Sequence, residues 1–256
     1  MIRGPVIWIR RCSATQCFLN KGEDMIKALL TIDDIASKNT PALVDFLVSH
    51  SIPALMFAVG VNAQRYHDEA VYALKKGMVV GNHSYSHPHF SELDPEEGRL
   101  EIEKCEEVLD SLYRDAQVER KYRPFRFPYG EKGGDNKDAL QKLLSDMGFD
   151  KVKDDEICYP WWKEMGLDRD IDTFWTYDFE EYRVRPDSGF TFEDVMRKMD
   201  SKKPESGAEL FGENACHILL LHAHDETESM VPRYYEKMLS VLIERGVRFI
   251  KPEFRP

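Results

Sequence analysis

The sequence contains little cysteine, and its cysteines form no regular pattern. There are five in 256 residues, an odd number, at Cys12, Cys17, Cys105, Cys158 and Cys216. Only the first two are close together, and their C-x4-C spacing has no matching second pair. Disulfide frameworks in small secreted domains usually show an even number of cysteines. We therefore expect reduced thiols.

Long hydrophobic runs and an excess of positive charge are also missing. A membrane-spanning helix needs about 20 apolar residues, and no run in the sequence approaches that length. The formal net charge is -11, whereas nucleic-acid surfaces need a basic face and anionic membranes attract basic segments. We expect neither nucleic acid nor a membrane as a partner. Hydrophobic residues make up 42%, which is enough for a globular core.

The first two dozen residues lack clear periodicity. We expect an N-terminal extension over residues 1–24 and one globular domain over residues 25–256. The apolar run at 5–9 is too short for a signal peptide, and Arg10 and Arg11 interrupt it. As written, the chain is expected in the cytoplasm. If the N-terminus is altered, the cell envelope and secretion are the alternative locations. The sequence leaves the oligomeric state open.

From residue 25 onwards, short apolar segments alternate with amphipathic ones. The predicted strands are 25–32, 54–59, 78–80, 125–127, 171–177, 217–222 and 247–250. The predicted helices are 40–50, 68–76, 95–112, 136–147 and 232–245. This alternation predicts an α/β fold with parallel strands. With about seven units, a barrel is favoured over an open sheet.

Polar residues follow four of the predicted strands. They are Asp33 and Asp34, then His83 and His87, then Tyr129, and finally His222. Active sites in parallel α/β folds are built at the carboxyl ends of the strands. We therefore expect one shared site.

The spacing of His83 and His87 lets two imidazoles point the same way, as a shared metal requires. Alone, this spacing arises by chance as readily as by function. His89 adds a third imidazole, which we interpret as an ordinary surface or core histidine. The adjacent carboxylates of Asp33 and Asp34 would be costly to bury without partners. A metal would partner one and leave the other as a base, although a cap on the following turn by Asp34 and a solvent-facing Asp33 would also explain the pair.

Arg126 precedes a Pro-Tyr turn, where it would pair with a buried carboxylate or simply end a strand. His222 follows an apolar run, where a lone histidine is usually a satisfied core residue. The order of these motifs is more specific than any one of them.

Taken together, the motifs resemble those of the polysaccharide deacetylase family, with its NodB-homology fold (carbohydrate esterase family 4). The first family motif, Thr-Phe-Asp-Asp-Gly, is matched by Thr31, Ile32, Asp33 and Asp34. The second, His-Ser/Thr-x-x-His, is matched by His83 to His87. The third, Arg-x-Pro-Tyr, is matched by Arg126 to Tyr129, and the fifth, Leu-x-x-His, by Leu219 to His222. The resemblance covers about residues 27–252.

The resemblance implies a distorted (β/α) barrel of about seven units and a hydrolase that removes acyl groups. Asp34, His83 and His87 would hold a divalent metal, zinc first, with Co2+, Ni2+ or Mn2+ as alternatives. The implied catalytic residues are Asp33 as base, Arg126 as its orienting partner, His222 as acid and Tyr129 as an oxyanion donor through its N–H.

Two departures from the family pattern stand out. Ile35 replaces the glycine after the aspartates, which predicts a less free backbone or a narrower pocket. The fourth motif normally contains Asp-Trp and would orient the acid histidine. Here Asp178 and the Glu181-Tyr182 pair are both candidates for that role.

The implied substrate is an N-acetylated amino-sugar glycan. Alternatives are an O-acetylated polysaccharide, small non-sugar amides or imides, and a catalytically weak binding protein on the same fold. The aromatic stretch 158–162, with Trp175, Tyr177 and Tyr182, suits a sugar-stacking surface and core packing equally. His224 and Asp225 continue the last strand toward the site without an assigned role.

Overall fold

The computed structural model describes residues 25–255. The expected extension, 1–24, lies outside them, and the division into 1–24 and 25–256 stays a prediction. The strands are β1 (Lys27–Ile35), β2 (Ala54–Ala58), β3 (Val79–Asn82), β4 (Tyr177–Asp178), β5 (Cys216–His222) and β6 (Arg248–Phe249). The helices are α1 (Thr40–Ser49), α2 (Gly60–Arg65), α3 (His67–Lys75), α4 (Pro95–Ala116), α5 (Lys137–Asp146), α6 (Pro160–Glu164), α7 (Phe192–Met199), α8 (Asp225–Met230) and α9 (Tyr234–Glu244).

These strands form one parallel sheet in the order β3-β2-β1-β5-β4, with β6 also paired to β1. Strand β1 is central, and its residues from 28 to 33 are all buried, as expected for a strand covered on both faces. The predicted α/β fold with parallel strands is confirmed.

Isolated hydrogen bonds connect β3 to the segment that leads into β4. Asn82 of β3 forms a parallel bridge with Phe125, whose carbonyl accepts from the N–H of Thr173 at 2.8 Å. The N–H of Thr176 donates to the carbonyl of Ile218 in β5 at 2.8 Å. This arrangement is consistent with a distorted barrel, in which single hydrogen bonds replace a continuous ladder between β3 and β4.

Several predicted strands are shorter than the sequence indicated, among them 247–250, which is reduced to Arg248–Phe249. The segment 125–127 forms only the bridge at Phe125, because the prolines on either side of it have no N–H for a ladder. The predicted strand 171–177 is reduced to Tyr177–Asp178. Helices α2, α6, α7 and α8 are additions that the apolar alternation does not predict.

The five predicted helices are present with ends shifted by at most a few residues. Helix α4 begins at a capping box, in which the Asp94 side chain accepts from the N–H groups of Glu96 and Glu97. Val48 on α1 and Leu100 on α4 lie at the edges of the apolar faces of their helices and are 43% and 46% exposed. None of the helices described combines the length and the apolarity that crossing a bilayer would require.

Candidate active site

The four motif segments meet at the carboxyl ends of the parallel strands. The register of β1 and β5 places Asp33 directly opposite His222. His83 follows β3 immediately, and Arg126 follows the bridge residue Phe125. The predicted single site is therefore formed by segments that are far apart in the chain.

A local irregularity in β1 turns two neighbouring aspartates toward this site. The pairing with β2 shifts between Ile32 and Ile35, and Asp34 has a left-handed backbone with φ 64°. Ile35 itself resumes the ladder opposite Ala58 and is fully buried in the core. The residue that adopts the glycine-favouring conformation is Asp34, so the side chain of Ile35 is accommodated in the core.

The side chains of Asp34, His83 and His87 converge. Each offers one ligand atom, and these atoms lie within 4.8 Å of one another. Oδ1 of Asp34 lies 3.7 Å from Nε2 of His83 and 3.4 Å from Nε2 of His87. This Oδ1 is buried and has no hydrogen-bond partner. A buried, unpartnered carboxylate oxygen facing two imidazole nitrogens is a donor set that fits a divalent metal.

The protonation states also suit a metal. Nδ1 of His83 lies 2.8 Å from the carbonyl oxygen of Arg126, which can only accept, so Nδ1 carries the hydrogen and Nε2 is left to bind. Burial lowers the pKa of His87 to about 4, helped by the nearby His83. Burial raises the pKa of Asp34, but the hydrogen bond from His224 and the charges of His83 and His87 outweigh it and hold that pKa well below its usual range.

Asp33 is paired with a buried arginine. Nη1 of Arg126 donates to Oδ1 of Asp33 at 2.7 Å and to Oγ1 of Thr31 at 2.8 Å. Nε of Arg126 donates to the carbonyl of Thr173 at 2.9 Å, and the guanidinium lies 4.5 Å from the ring centroid of Phe57. Arg126 is thus fixed on three sides and holds the Asp33 carboxylate in one orientation.

His222 is paired with a buried glutamate. Oε1 of Glu181 lies 3.1 Å from Nδ1 of His222 and accepts from its backbone N–H at 2.6 Å. Burial lowers the pKa of His222, but the charge and hydrogen bond of Glu181, with Asp178 further away, raise it to about 10. Of the two orienting candidates in the sequence, Glu181 makes the contact. Burial and the neighbouring Glu181 raise the pKa of Asp178 to about 6.

Tyr129 presents its backbone from a strained turn. Its φ is 57°, and the hydrogen bonds of the turn Pro128–Gly130 are donated by Gly130 and Glu131, not by Tyr129. The Tyr129 side chain is 55% exposed and lies edge-on to His87, with ring centroids 4.6 Å apart. His89 stacks on this ring with the centroids 4.0 Å apart and is exposed, so of the surface and core alternatives it takes the surface one.

The aromatic residues divide between core and site. Trp161 and Trp162 are buried, and the indole N–H of Trp162 donates to Asp154, so this part of the stretch is core. Trp175 lies 5.5 Å from the guanidinium of Arg126, and Tyr182 packs edge-on to His222 at 4.8 Å.

One site residue had no role in the sequence interpretation. Nε2 of His224 lies 2.6 Å from Oδ2 of Asp34. Side chains alternate along an extended chain, so His224 lies on the same side as His222. This alternation is the sequence signal that would have identified His224.

Comparisons with known proteins identify the family of the chain. The family model described as Polysaccharide deacetylase matches residues 21–152, just over half of the chain. The chain belongs to the polysaccharide deacetylase family. Within this family, the chain is 34% identical over 129 residues to a peptidoglycan-N-acetylglucosamine deacetylase of Bacillus cereus. The match covers 50% of the chain and 44% of that relative, so the chain spans less than half the length of the curated relative.

Solved structures with the family fold are also similar. The crystal structure of the Bc1960 peptidoglycan N-acetylglucosamine deacetylase superposes with a TM-score of 0.60 at 22% identity, covering 88% of this chain and 85% of that one. BA3943, a pseudoenzyme of carbohydrate esterase family 4 from Bacillus anthracis, gives a TM-score of 0.56 at 23% identity, covering 90% and 64%. At these identities the structures establish the fold, and the chemistry has to be argued from the site.

Proposed function

We propose that the chain is a metal-dependent deacetylase that hydrolyses N-acetyl groups of an amino-sugar-containing glycan. The observation that carries this proposal is the convergence of Asp34, His83 and His87 at the strand ends that also carry Asp33 and His222, each of which has its own buried partner. Membership of the polysaccharide deacetylase family supports a glycan as substrate. The similarity to a peptidoglycan-N-acetylglucosamine deacetylase supports an acetylated amino sugar.

Asp34, His83 and His87 would hold the metal, with zinc as the first candidate and cobalt, nickel or manganese as alternatives. When bound, a divalent ion would supply a Lewis acid for the acyl oxygen and would lower the pKa of a water ligand to about 7. The two imidazoles suit such an ion because their Nε2 atoms face the unpartnered oxygen of Asp34.

Asp33 would act as the general base. Its Oδ1 is occupied by Arg126, which leaves Oδ2 to take a proton from the attacking water. As that proton leaves, the water oxygen forms a bond to the acyl carbon. Removing a positioned base typically lowers the reaction rate about 10²–10⁴-fold.

His222 would act as the general acid on the opposite strand. Its raised pKa keeps the imidazole protonated at neutral pH, so it can donate a proton to the nitrogen as the carbon–nitrogen bond breaks. The N–H of Tyr129 would donate to the acyl oxygen as charge develops there, a contribution of about 3–4 kcal/mol for a well-placed donor. The products are acetate and a free amine.

The two ion pairs argue against a protein that only binds glycans. Arg126 and Glu181 are 1% and 0% exposed, and each contacts one proposed catalytic side chain, Asp33 and His222 respectively. Burying such charges is costly, and glycan binding alone would need neither a fixed base nor a charged acid.

The first experiment compares acetate release from three substrate classes, with the zinc-loaded protein. We expect release from N-acetylglucosamine oligomers or peptidoglycan, and much less from O-acetylated xylan and small amides. Release mainly from xylan would assign an O-acetyl esterase instead, and release mainly from small amides would remove the glycan from the proposal.

The role of Asp33 is tested with Asp33→Asn. We expect kcat/KM to fall at least about a hundredfold while the zinc content stays at the wild-type value. The matched control is Asp68→Asn, because the side chain of Asp68 is fully exposed. Undiminished turnover in Asp33→Asn would contradict the mechanism, and loss of zinc would show that Asp33 is a ligand.

A further inference from the structure

The two oxygens of the Asp34 carboxylate have different surroundings. Oδ1 faces His83 and His87 and has no hydrogen-bond partner. Oδ2 is 2.6 Å from Nε2 of His224. Since a carboxylate only accepts, this nitrogen of His224 carries the hydrogen. One oxygen is therefore occupied by a fixed donor, and the other is left for a metal.

The main chain around His224 is anchored on both sides. The N–H of Ala223 donates to the carbonyl of Asp33 at 3.0 Å, and the carbonyl of His224 accepts from the N–H of Glu228 in α8 at 3.0 Å. The carboxylate of Asp225 accepts from the N–H groups of Lys38 and Asn39 at 3.3 and 3.2 Å. The imidazole is thus presented to Asp34 from a segment tied to the chain that follows β1.

We propose that His224 is a positioning residue that holds the Asp34 carboxylate so that Oδ1 alone faces the metal. This inference rests on the proposed function, because it takes Asp34 as a metal ligand. The geometry distinguishes positioning from direct ligation, since Nε2 of His224 meets the oxygen that points away from the imidazoles of His83 and His87.

The expected consequence is a higher metal affinity and a single orientation of the Asp34 carboxylate. A carboxylate that already has the binding orientation loses less freedom when the ion binds. Partners of this kind are typically worth about 10–100-fold in metal affinity. His224 also lines an open cleft of about 500 Å³ with Asn62, Arg65 and Arg185, so an unbranched side chain of similar length has room at this position.

The experiment compares zinc affinities of metal-stripped proteins, measured by competition with a chromophoric chelator. The variants are His224→Met and His224→Gln, which have nearly the same shape and differ in the N–H donor. His67→Ala is the control, since His67 pairs with Asp115 on α4. Visible absorption of the cobalt-loaded proteins, at saturating metal, gives a second readout that does not depend on activity.

We expect His224→Met to bind zinc about 10–100-fold more weakly than wild type, His224→Gln to lie between them, and His67→Ala to match wild type. The cobalt spectrum of His224→Met should differ from that of wild type, because the freed Oδ2 can turn toward the ion. A zinc affinity of His224→Met within twofold of wild type would overturn the inference and leave the proposed function intact. Wild-type protein that takes up no zinc would overturn the proposed function, and this inference with it.

Discussion

At the residue scale, the proposed base and the proposed acid have opposite electrostatic surroundings. The carboxylate of Asp33 faces the guanidinium of Arg126 at 2.7 Å, whereas the imidazole of His222 faces the carboxylate of Glu181 at 3.1 Å. A base needs to be unprotonated before the reaction and an acid needs to be protonated. Glu181 raises the pKa of His222 and so favours the protonated form that the acid requires, while Arg126 holds the Asp33 carboxylate in one orientation.

The Glu181 carboxylate is expected to set the alkaline limit of activity. The pKa of His222 is raised to about 10, so activity is lost as the pH rises through that value. Glu181→Gln removes the charge that raises this pKa, and the imidazole then loses its proton at a lower pH. We expect the alkaline limb of kcat/KM to move toward neutral pH in this variant, as measured by a pH–rate profile.

The neighbouring Glu180 offers a matched control for this variant. Its carboxylate pairs with Arg183 and Lys198 and does not contact His222. Glu180→Gln should therefore keep the wild-type pH profile. An unmoved alkaline limb in Glu181→Gln would mean that another group sets it.

At the element scale, the short strand β3 holds His83 beside Arg126 because the segment at Pro124 packs closely against Gly81. A Cβ on Gly81 would lie 2.5 Å from the carbonyl oxygen of Pro124 and 2.7 Å from its Cγ. The next residue, Asn82, donates its N–H to that same carbonyl and accepts from the N–H of Arg126. The spacing between β3 and the Arg126 segment thus depends on the absence of a side chain at Gly81.

Gly81→Ala is therefore expected to force these two segments apart. Overpacking of a tight site costs about 1–3 kcal/mol of unfolding free energy, measured by denaturant unfolding. Zinc affinity should fall too, because His83 binds the carbonyl of Arg126 across this gap. Gly212→Ala is the control, since a Cβ there would lie 3.5 Å or more from its neighbours. Equal stability of both variants would show that the gap is not required.

At the scale of the whole molecule, the proposed metal joins elements that a third strand separates. Asp34 lies on β1, whereas His83 and His87 follow β3, and β2 lies between these two strands in the sheet. An ion bound to all three residues is lost when the sheet unfolds. Its binding free energy is therefore added to the stability of the fold.

Zinc is expected to raise the melting temperature of the wild-type chain. At a free zinc concentration of 100 Kd the stabilisation is about 2.7 kcal/mol, which corresponds to about 5–11 °C for a domain of this size. Thermal unfolding in zinc and in a chelator measures the shift. The double variant His83→Ala, His87→Ala should show none, and a shift of the same size in that variant would place the zinc elsewhere.

Much of the fold and the site follows from local features of the sequence. Alternating apolar segments were enough to predict the parallel α/β class, because burial on both faces leaves a continuous apolar run such as that of β1. The five main helices were predicted from their periodicity. The motif residues were located through their order along the chain, and the spacing of His83 and His87 is itself local.

Tertiary structure alone decided the partners of these residues. Glu181, not Asp178, contacts His222 across 41 positions, and His224 meets Asp34 across 190. The contact of Glu181 depends on the pairing of β4 with β5, and that of His224 on the pairing of β1 with β5. Strands β1 and β5 are far apart in the chain, so neither segment by itself shows which partner it meets. The sequence by itself thus determined which residues are the candidates for the chemistry. Packing of distant strands determined which buried groups hold them, because an ion pair forms only where the folded chain brings both partners together.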